Sequence, residues 1–321
     1  MSECSPKAIT RREALATSLA SFSLMAFGAR SASAAPQPAG KTTMQTGCGT
    51  VTFRKLPLKE ALQRIRRTGY DYVEPQAIPG WCPHIDLWKD DPQAFRQLVG
   101  EYGFKGVSAL WSPHGAIIPD EKSVYGISQA IRWAKEAGIP VVNAGDGKKP
   151  KGMSDSDALK VLGDRLAAIL EVAAESQVYL AIEPHGTFSL TAAGLRKIME
   201  LSDSKWLGIN YDTANVHRAT YVETVAGAYS WTPYGKPQDE VATLKAVVDR
   251  VVHVHVKDVV GAKCVALGKG EVDIIGCLRV LKQHGYTGTL SLETEGEFDA
   301  EQGQHLIEAS RGYLLKTLGS I

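Results

Sequence analysis

The chain has 321 residues, is 44% hydrophobic and is nearly neutral, with 36 Lys and Arg against 35 Asp and Glu. That length accommodates one α/β barrel or two smaller domains, and the hydrophobic content is ordinary for a globular protein. Like charges cluster no further than short pairs such as Lys148 and Lys149. Because nucleic-acid-binding proteins normally present a basic face, this balance argues against a nucleic-acid partner.

The first 34 residues have the composition of an export signal. Arg11 and Arg12 precede an apolar run at 14–29, and Ala32, Ser33 and Ala34 offer a small-residue cleavage site. The run is too short and too rich in Ala and Ser for a convincing membrane span. It resembles a twin-arginine signal, with Ala14 where that signal often carries Phe, so a general secretory signal stays open. Either route predicts an exported, periplasmic protein that is not membrane-bound once the signal is cut.

After a Pro-, Gly- and Thr-rich linker at 35–43, strand-like and helix-like segments alternate through 44–321. The predicted strands are 50–54, 70–74, 106–110, 140–144, 178–183, 207–212, 251–256 and 289–293, and the intervening helices include 58–67, 156–175, 192–201, 274–283 and 304–315. Strand then helix, repeated about eight times, favours a single (β/α)8 TIM barrel over an open sheet. No glycine-rich phosphate fingerprint follows the first strand, which argues against a dinucleotide-binding fold.

Two long loops are candidates for the rim of this barrel. The segment 218–239 is rich in aromatic residues, Pro and Gly, and the segment 79–89 carries Trp81, Cys82, His84 and Trp88. Loops that follow barrel strands usually determine substrate specificity, although a solvent-exposed decoration is equally compatible with either composition. The cysteines beyond the signal show no CxxC spacing, so we expect them to be structural or free.

Alternation along four predicted strands turns ligand-type side chains toward the barrel axis. In the stretch 251–258, the valines at 252, 254 and 256 face the outer helices, and His253, His255 and Lys257 face inward. The same rule turns further polar side chains inward at their strand ends: Glu183, His185, Asp212 and Glu293. Barrel enzymes keep their active sites at the C-terminal ends of the strands, so these residues are predicted to meet there.

Three carboxylates in one dry cavity repel one another, so either their pKa values rise or a cation compensates. A divalent metal is the economical answer. An O3N set of these acids and one histidine is compatible with Mn²⁺, Co²⁺, Mg²⁺, Fe²⁺ or Zn²⁺. Each acid alone has a plainer explanation as a helix N-cap or a salt-bridge partner, and it is the joint pattern that favours the metal.

Four segments carry a resemblance to a known family: 182–186 (Ile-Glu-Pro-His-Gly), 212–215 (Asp-Thr-Ala-Asn), 253–258 (His-Val-His-Val-Lys-Asp) and 292–293 (Leu-Glu). Together they resemble the sugar phosphate isomerase/epimerase family of xylose-isomerase-like TIM barrels, over essentially the whole mature chain. The resemblance implies one divalent metal, for which we favour Mn²⁺ or Co²⁺. The implied metal ligands are Glu183, Asp212, His255 and Glu293.

The same resemblance assigns roles around the metal. It implies that Glu183 and Glu293 also act as an acid/base pair, one on each face of the substrate, and that His253 lies one layer deeper than His255. Four further residues match positions that line the substrate pocket or recur near the site in relatives: His185, His217, Lys257 and Glu74. Asp258 is expected either to orient a neighbouring side chain or to cap the segment that follows.

The implied activity is a metal-dependent isomerase or epimerase of a small sugar or keto-sugar, acting through a metal-stabilised enediolate. The same intermediate can expel a β substituent, so a lyase that eliminates the aglycone from a 3-keto-glycoside stays open. Export favours free sugars and glycosides over sugar phosphates.

Two other classes are considered. A non-catalytic, metal-dependent sugar-binding protein would not need both Glu183 and Glu293. A DNA repair endonuclease of the same barrel family would need a larger ligand cluster for three metals. Relatives often form dimers or tetramers, which leaves a homo-oligomer open.

Overall fold

The computed structural model describes residues 44–223, 230–233 and 235–321, which belong to one compact unit. The predicted export signal (1–34) and linker (35–43) lie outside the described residues, as do 224–229 and 234 in the long loop. Within the described part, no helix is both long enough and apolar enough to cross a membrane.

The described strands are numbered in chain order. They are β1 (Gln45–Gly49), β2 (Tyr72–Glu74), β3 (Ala77–Ile78), β4 (Cys82–Pro83), β5 (Gly106–Val107), β6 (Leu110–Ala116), β7 (Val141–Gly147), β8 (Tyr179–Gly186), β9 (Leu207–Asp212), β10 (Thr220–Glu223), β11 (Ser230–Pro233), β12 (Val251–Val256), β13 (Asp258–Val260), β14 (Lys263–Val265) and β15 (Thr289–Leu292). Nine of them form one parallel sheet in the order β5-β2-β1-β15-β12-β9-β8-β7-β6.

The sheet forms a barrel because β5 and β6 are two pieces of its third strand. β5 pairs with β2, β6 pairs with β7, and a parallel bridge from Gln76 to Trp111 joins β6 to the end of the second strand. Counting the two pieces as one position gives eight strands, which confirms the predicted (β/α)8 fold.

The first strand was predicted at 50–54, and this was wrong. Strand β1 is Gln45–Gly49, and Thr50–Phe53 forms a short 3-10 helix whose four residues are all buried. Thr, Val and Phe have high β propensity, whereas a segment with two glycines does not, so propensity favoured the wrong segment. The predicted third strand, 106–110, is interrupted and continues to Ala116.

Helices follow the strands around the barrel: α1 (Leu58–Thr68), α2 (Pro92–Glu101), α3 (Ser123–Ala137), α4 (Asp155–Ser176), α5 (Ala192–Met199), α6 (Thr213–Arg218), α7 (Glu240–Val247), α8 (Ile274–Gln283) and α9 (Ala300–Ser320). The main core lies between them and the outward side chains of the strands, such as Ile182, Ile209 and Val254, all fully buried. This burial fixes the pairing register of the strands, because a slip of one residue would turn the apolar side chains away from the helices and toward the barrel axis.

The four cysteines of the described part, Cys48, Cys82, Cys264 and Cys277, are buried and unbridged. Burial raises the pKa of Cys82 to about 12 and that of Cys264 to about 11. Both therefore stay protonated near neutral pH, which fits a structural role.

Asp258 caps the segment that follows it, which is one of the two roles expected for it. This segment comprises the hairpin β13–β14 and the turn beyond the hairpin. Its Oδ1 accepts hydrogen bonds from the backbone N–H groups of Val259 and Val272 at 2.9 and 3.2 Å. Its Oδ2 accepts from Gly268 and Gly270, both at 2.9 Å. One buried carboxylate therefore caps four amides beside the site, and its own role is to hold the loop.

The two loops predicted at the rim contain short hairpins. The segment 218–239 includes the antiparallel pair β10–β11, and the rest of its tip lies outside the described residues. The segment 79–89 follows β3, which pairs with β4, and it buries Trp81 and Cys82.

Candidate metal centre and active site

Four side chains from four neighbouring strands of the barrel converge at its C-terminal end. Glu183 lies on β8, Asp212 ends β9, His255 lies on β12 and Glu293 follows β15. One ligand atom from each lies within 4.8 Å of the others, and no residue of the set is more than 4% exposed. The structure thus brings together the four residues that the resemblance implied as ligands.

The imidazole of His255 contacts the cluster through Nδ1 and the carboxylate of Glu74 through Nε2. Its Nδ1 lies 3.1 Å from Glu183 Oε2 and 3.2 Å from Glu293 Oε2. Its Nε2 is 2.8 Å from Glu74 Oε1, whose other oxygen is 2.9 Å from Nε2 of His253. Carboxylates commonly hold the far nitrogen of a metal-ligating histidine and so fix its tautomer. Nδ1 therefore faces the other members of the cluster and is the atom available to a cation, and His253 lies two residues earlier on β12, on the far side of Glu74.

Amide groups hold the two glutamates in place. Asn210 Nδ2 donates to Glu183 Oε2 and Asn215 Nδ2 donates to Glu183 Oε1, each at 2.9 Å, while Gln76 Nε2 donates to Glu293 Oε1 at 3.1 Å. Sequence reasoning did not assign a role to these amides. Asn210 had one signal, its inward position two residues before Asp212.

Asp212 starts helix α6 as well as contributing to the cluster. Its Oδ1 accepts hydrogen bonds from the backbone N–H groups of Ala214 and Asn215 at 2.8 and 2.7 Å. This cap leaves Oδ2 to face the cluster, where it is 2.9 Å from Nζ of Lys257. Asp212 is therefore both the N-cap of α6, through Oδ1, and a member of the cluster, through Oδ2.

Lys257 is the cation that the structure places among the acids. Its Nζ lies 2.9 Å from Asp212, 2.7 Å from Glu293 and 2.8 Å from Glu295, and the residue is 1% exposed. Burying an ammonium group is unfavourable unless several carboxylates surround it. Glu295 was missed by sequence reasoning, because it lies beyond the end of β15, where strand alternation no longer predicts which way a side chain faces.

The electrostatics of the cluster are asymmetric. Burial raises the pKa of Glu183 to about 8, opposed by His255 and reinforced by the charges of Glu293 and Asp212. Burial would also raise the pKa of Glu293, but the charges of His255 and Lys257 lower it well below its usual value. The pKa values of the two glutamates shift in opposite directions because Lys257 and His255 lie beside Glu293.

A pocket of about 300 Å³ opens beside the cluster. Its described lining includes Glu183 and Glu293 of the ligand set, Glu295, two histidines and two tryptophans, and it contains neither Lys nor Arg. The lining histidines and tryptophans are His114, His185, Trp81 and Trp111. This volume lies at the small end of the usual range for small-molecule sites.

His185 is fixed at this pocket by the loop that follows it. Its backbone N–H donates to Ser189 Oγ at 2.8 Å, and that hydroxyl donates to Asp146 Oδ1 at 2.5 Å. The ring packs edge-on against Trp111, with centroids 5.7 Å apart. Burial raises the pKa of Asp146 to about 6, and the hydrogen bonds from Ser189 and Phe188 oppose that rise.

The remaining predicted pocket residues lie elsewhere around the cluster. Glu74 and Lys257 are buried beside the four-residue cluster and are not part of the described pocket lining. His217, on α6, has Nδ1 2.9 Å from Glu240 and Nε2 4.0 Å from Glu271, and it also lies outside that lining.

The fold and the cluster define the class of the protein: a parallel (β/α)8 barrel with acids and a histidine gathered at the C-terminal ends of its strands, where enzymes of this fold keep their active sites. A profile of the family described as "Xylose isomerase-like TIM barrel" matches residues 62–315. The chain belongs to this family.

Two of the sequence relatives carry sugar epimerase names. The chain is 26% identical over 253 residues to an L-ribulose-5-phosphate 3-epimerase of Escherichia coli, covering 74% of this chain and 82% of the relative. It is 28% identical over 194 residues to a putative L-ribulose-5-phosphate 3-epimerase, also of Escherichia coli. That second alignment covers 58% of this chain and 62% of the relative, which is under two thirds of its length.

Solved structures share the fold at lower identity. A D-tagatose 3-epimerase-like protein superposes with a TM-score of 0.69 at 21% identity, over 86% of this chain and 97% of the other. A zinc-bound IolI protein gives 0.68 at 17% identity, over 86% and 99%. A 3-keto-D-glucoside 4-epimerase of Escherichia coli gives 0.66 at 18% identity, over 85% and 99%.

Proposed function

We propose that the protein is a divalent-metal-dependent isomerase or epimerase of a small, unphosphorylated sugar or keto-sugar. One observation carries the proposal: Glu183 and Glu293 both belong to the cluster that could hold a metal ion, and both also line the adjacent pocket. Two positioned carboxylates of unequal proton affinity are suited to remove a proton from one face of a carbon and deliver one to the other. The epimerase names of the sequence relatives support the same reaction class.

The donor set suits a divalent cation. Three carboxylates and the Nδ1 of His255, with His255 held by Glu74, form an O3N site that accepts Mn²⁺ or Co²⁺ as well as Mg²⁺, Fe²⁺ or Zn²⁺. When bound, the cation supplies Lewis-acid polarisation of a carbonyl oxygen. The proposed ligands are Glu183, Asp212, His255 and Glu293.

The protein's own residues handle the proton. One of Glu183 and Glu293 removes the hydrogen α to the carbonyl, and the other returns a proton. Return to the opposite face of the same carbon gives an epimer. Return to the carbonyl carbon, together with transfer of the adjacent hydroxyl proton to the former carbonyl oxygen, gives an isomer. The amides of Asn210, Asn215 and Gln76 hold both carboxylates, so little reorganisation is needed during the transfer.

The described pocket lining favours a neutral substrate. It carries four acids and no Lys or Arg that would balance a phosphate. The Escherichia coli relatives are named for a phosphorylated sugar, and we propose that this protein differs from them in that respect. Its proposed export to the periplasm by the twin-arginine-like signal agrees with this choice, since free sugars and glycosides are met there.

Deuterium exchange tests the proposal directly. Mn²⁺-loaded mature protein is incubated in heavy water with D-fructose, D-tagatose, D-allulose, D-xylulose and 3-keto-D-glucosides, and the products are analysed by mass spectrometry and chromatography. We expect one deuteron per turnover with the carbon skeleton retained. Loss of an aglycone would replace the isomerase or epimerase with the lyase alternative, and absence of exchange with every sugar would contradict the enzymatic function.

A further inference from the structure

A second group of polar side chains lies on the pocket wall formed by the third barrel strand. Strand β6 pairs with β7 at Trp111 and Asn143, and pairing resumes at Ala116 and Gly145. Four residues of β6 thus lie opposite one residue of β7 in this interval. The resulting bulge contains His114, which lines the pocket together with Glu183, Glu293 and Asp120.

The backbone at His114 is strained. Its φ of 57° lies in the left-handed region, which histidine adopts at a cost and which is seen mostly where the surroundings impose it. Two glycines make room for this geometry. A Cβ on Gly126 would lie 2.8 Å from Cδ2 of His114, and a Cβ on Gly115 would lie 2.8 Å from the ring of Trp111.

Helix α4 secures the turn that follows. Nη1 of Arg165 lies 2.6 Å from the carbonyl oxygen of Ile117, 3.0 Å from that of Ile118 and 2.8 Å from that of Asp120. The backbone N–H groups of Ile117 and Ile118 meanwhile donate to the carbonyl oxygens of residues 145 and 146 on β7. The turn is therefore fixed from two sides, which is what a strained residue requires to persist.

Asp120 fixes the tautomer of His114. Its Oδ2 lies 2.7 Å from Nδ1 of the ring, and its Oδ1 accepts the backbone N–H of Lys122 at 2.8 Å. An ionised carboxylate only accepts, so Nδ1 is the nitrogen that donates to Asp120, and in a neutral imidazole Nε2 is then the nitrogen that accepts. Within the described residues, no hydrogen bond satisfies Nε2, and the ring is about one third exposed.

We infer that His114 is a specificity residue, whose Nε2 accepts a hydrogen bond from a substrate hydroxyl remote from the reacting carbons, and that Asp120 is its positioning residue. The inference rests on the proposed function and deepens it. The ligand it selects is a polyhydroxylated neutral sugar long enough to reach from the ligand cluster to β6. A site built to bind a hydroxyl rejects the analogue that lacks it, because its polar group is then left unpaired.

Deoxy sugars test the inference. For the sugar that exchanges fastest in heavy water, kcat and KM are measured with the parent and with its mono-deoxy analogues at each carbon outside the exchanging pair. We expect the wild type to lose at least about tenfold in kcat/KM with one analogue. For His114→Asn, kcat/KM for that analogue and for the parent should lie within about threefold of each other, mainly because KM for the parent rises. Asparagine tolerates the left-handed backbone, so this variant removes the ring and leaves the bulge.

The outcomes separate this inference from the proposed function. If sugars exchange and His114→Asn discriminates as the wild type does, the specificity role is wrong and the proposed function stands. If no sugar exchanges deuterium, the proposed function fails. The inference about His114 is then tested by binding alone, with D-fructose and its deoxy analogues. Tryptophan fluorescence reports this binding, since Trp81 and Trp111 line the pocket. Equal preferences of wild type and His114→Asn in that titration would also overturn the inference.

The role of Asp120 has its own spectroscopic readout. The ¹⁵N spectrum of the His114 ring should show Nδ1 protonated and Nε2 unprotonated in the wild type. In Asp120→Asn, the new amide can donate to Nδ1, so the proton should move to Nε2 and the KM of the parent sugar should rise. An unchanged tautomer in this variant would show that Asp120 does not position the ring.

Discussion

Glu74 and His255 form a carboxylate–imidazole pair beneath the ligand cluster, with Glu74 Oε1 2.8 Å from Nε2 of the ring. Glu74 also receives Asn143 Nδ2 at 2.7 Å and contacts His253, so its carboxylate cannot turn away without breaking other bonds. The orientation of the proposed ligand atom, Nδ1, is therefore set by residues on the other side of the barrel axis.

Glu74→Gln should weaken metal binding while the fold persists. The amide can no longer accept from both histidines, and loss of such a partner typically lowers metal affinity about 10- to 100-fold. Isothermal titration with Mn²⁺ measures the effect. Glu240→Gln is the matched control, since Glu240 also binds a histidine, His217, outside the cluster. Equal affinities of Glu74→Gln and wild type would contradict the supporting role.

Glu293→Gln should abolish turnover without unfolding the protein. Removing an acid/base group typically lowers kcat by about 10²- to 10⁴-fold, and loss of a metal ligand adds to this. Deuterium uptake measures the rate, and circular dichroism checks the fold. Glu297→Gln is the control, because that carboxylate is exposed and pairs with Arg54 and Lys55. Activity close to wild type in Glu293→Gln would exclude the assigned role.

Chelation should stop the reaction, and added Mn²⁺ or Co²⁺ should restore it. Without a cation the carbonyl of the substrate loses its proposed electrophilic partner. Metal content is measured by inductively coupled plasma mass spectrometry alongside activity. Full activity in a sample shown to contain no metal would remove the metal from the proposal.

Metal affinity should depend on pH through Glu183. Burial raises its pKa to about 8, so below that pH the carboxyl is protonated and must lose its proton to become a ligand. The apparent affinity for Mn²⁺ should therefore fall up to about tenfold per pH unit below about pH 8 and level off above it. Calorimetry in buffers of different ionisation enthalpy should detect the released proton. Binding without proton release between pH 6 and 7 would contradict this prediction.

Asp258→Ala should destabilise the fold by about 3 kcal/mol or more. The change removes the acceptor of four backbone N–H groups, those of Val259 and Val272 being buried and those of Gly268 and Gly270 partly buried, and each unmade hydrogen bond costs roughly 1 kcal/mol. Urea unfolding followed by tryptophan fluorescence measures the loss. Asp203→Ala, at an exposed acid, should change the stability by less than about 0.5 kcal/mol. Similar unfolding midpoints for both variants would show that the cap is dispensable.

The sequence predicted the barrel and the inward side of its strands because strand periodicity needs only local information. Alternation at 251–256 was enough to separate the valines from His253 and His255. The start of the barrel was misplaced because the residues of β1 have low β propensity and occupy a strand only through their pairing with β2 and β15. That pairing is not encoded locally.

Contacts between distant parts of the chain were beyond such reasoning. Glu74 and His255 are 181 positions apart, and Gln76 and Glu293 are 217 apart, so their hydrogen bonds arise from closure of the barrel. The bulge at His114 was also unpredicted, since the residues that fix it, such as Arg165, lie in other elements. Alternation along a strand predicts which side chains face the barrel axis, but which of them touch depends on how the closed barrel places the strands relative to one another.

The proposed ligands come from four consecutive positions of the ring, in the order β15, β12, β9 and β8, and His114 lies on β6 across from them. In the proposed function, the arc of β8, β9, β12 and β15 would supply the cation ligands, and His114 on β6 would contact the sugar. Glu74 and Gln76, at the end of β2 and just beyond it, lie in the opposite arc and hold His255 and Glu293. Under that proposal, sugar preference should be changed by substituting pocket residues of β6 while Glu74 and Gln76 are kept, because those two side chains hold members of the ligand cluster.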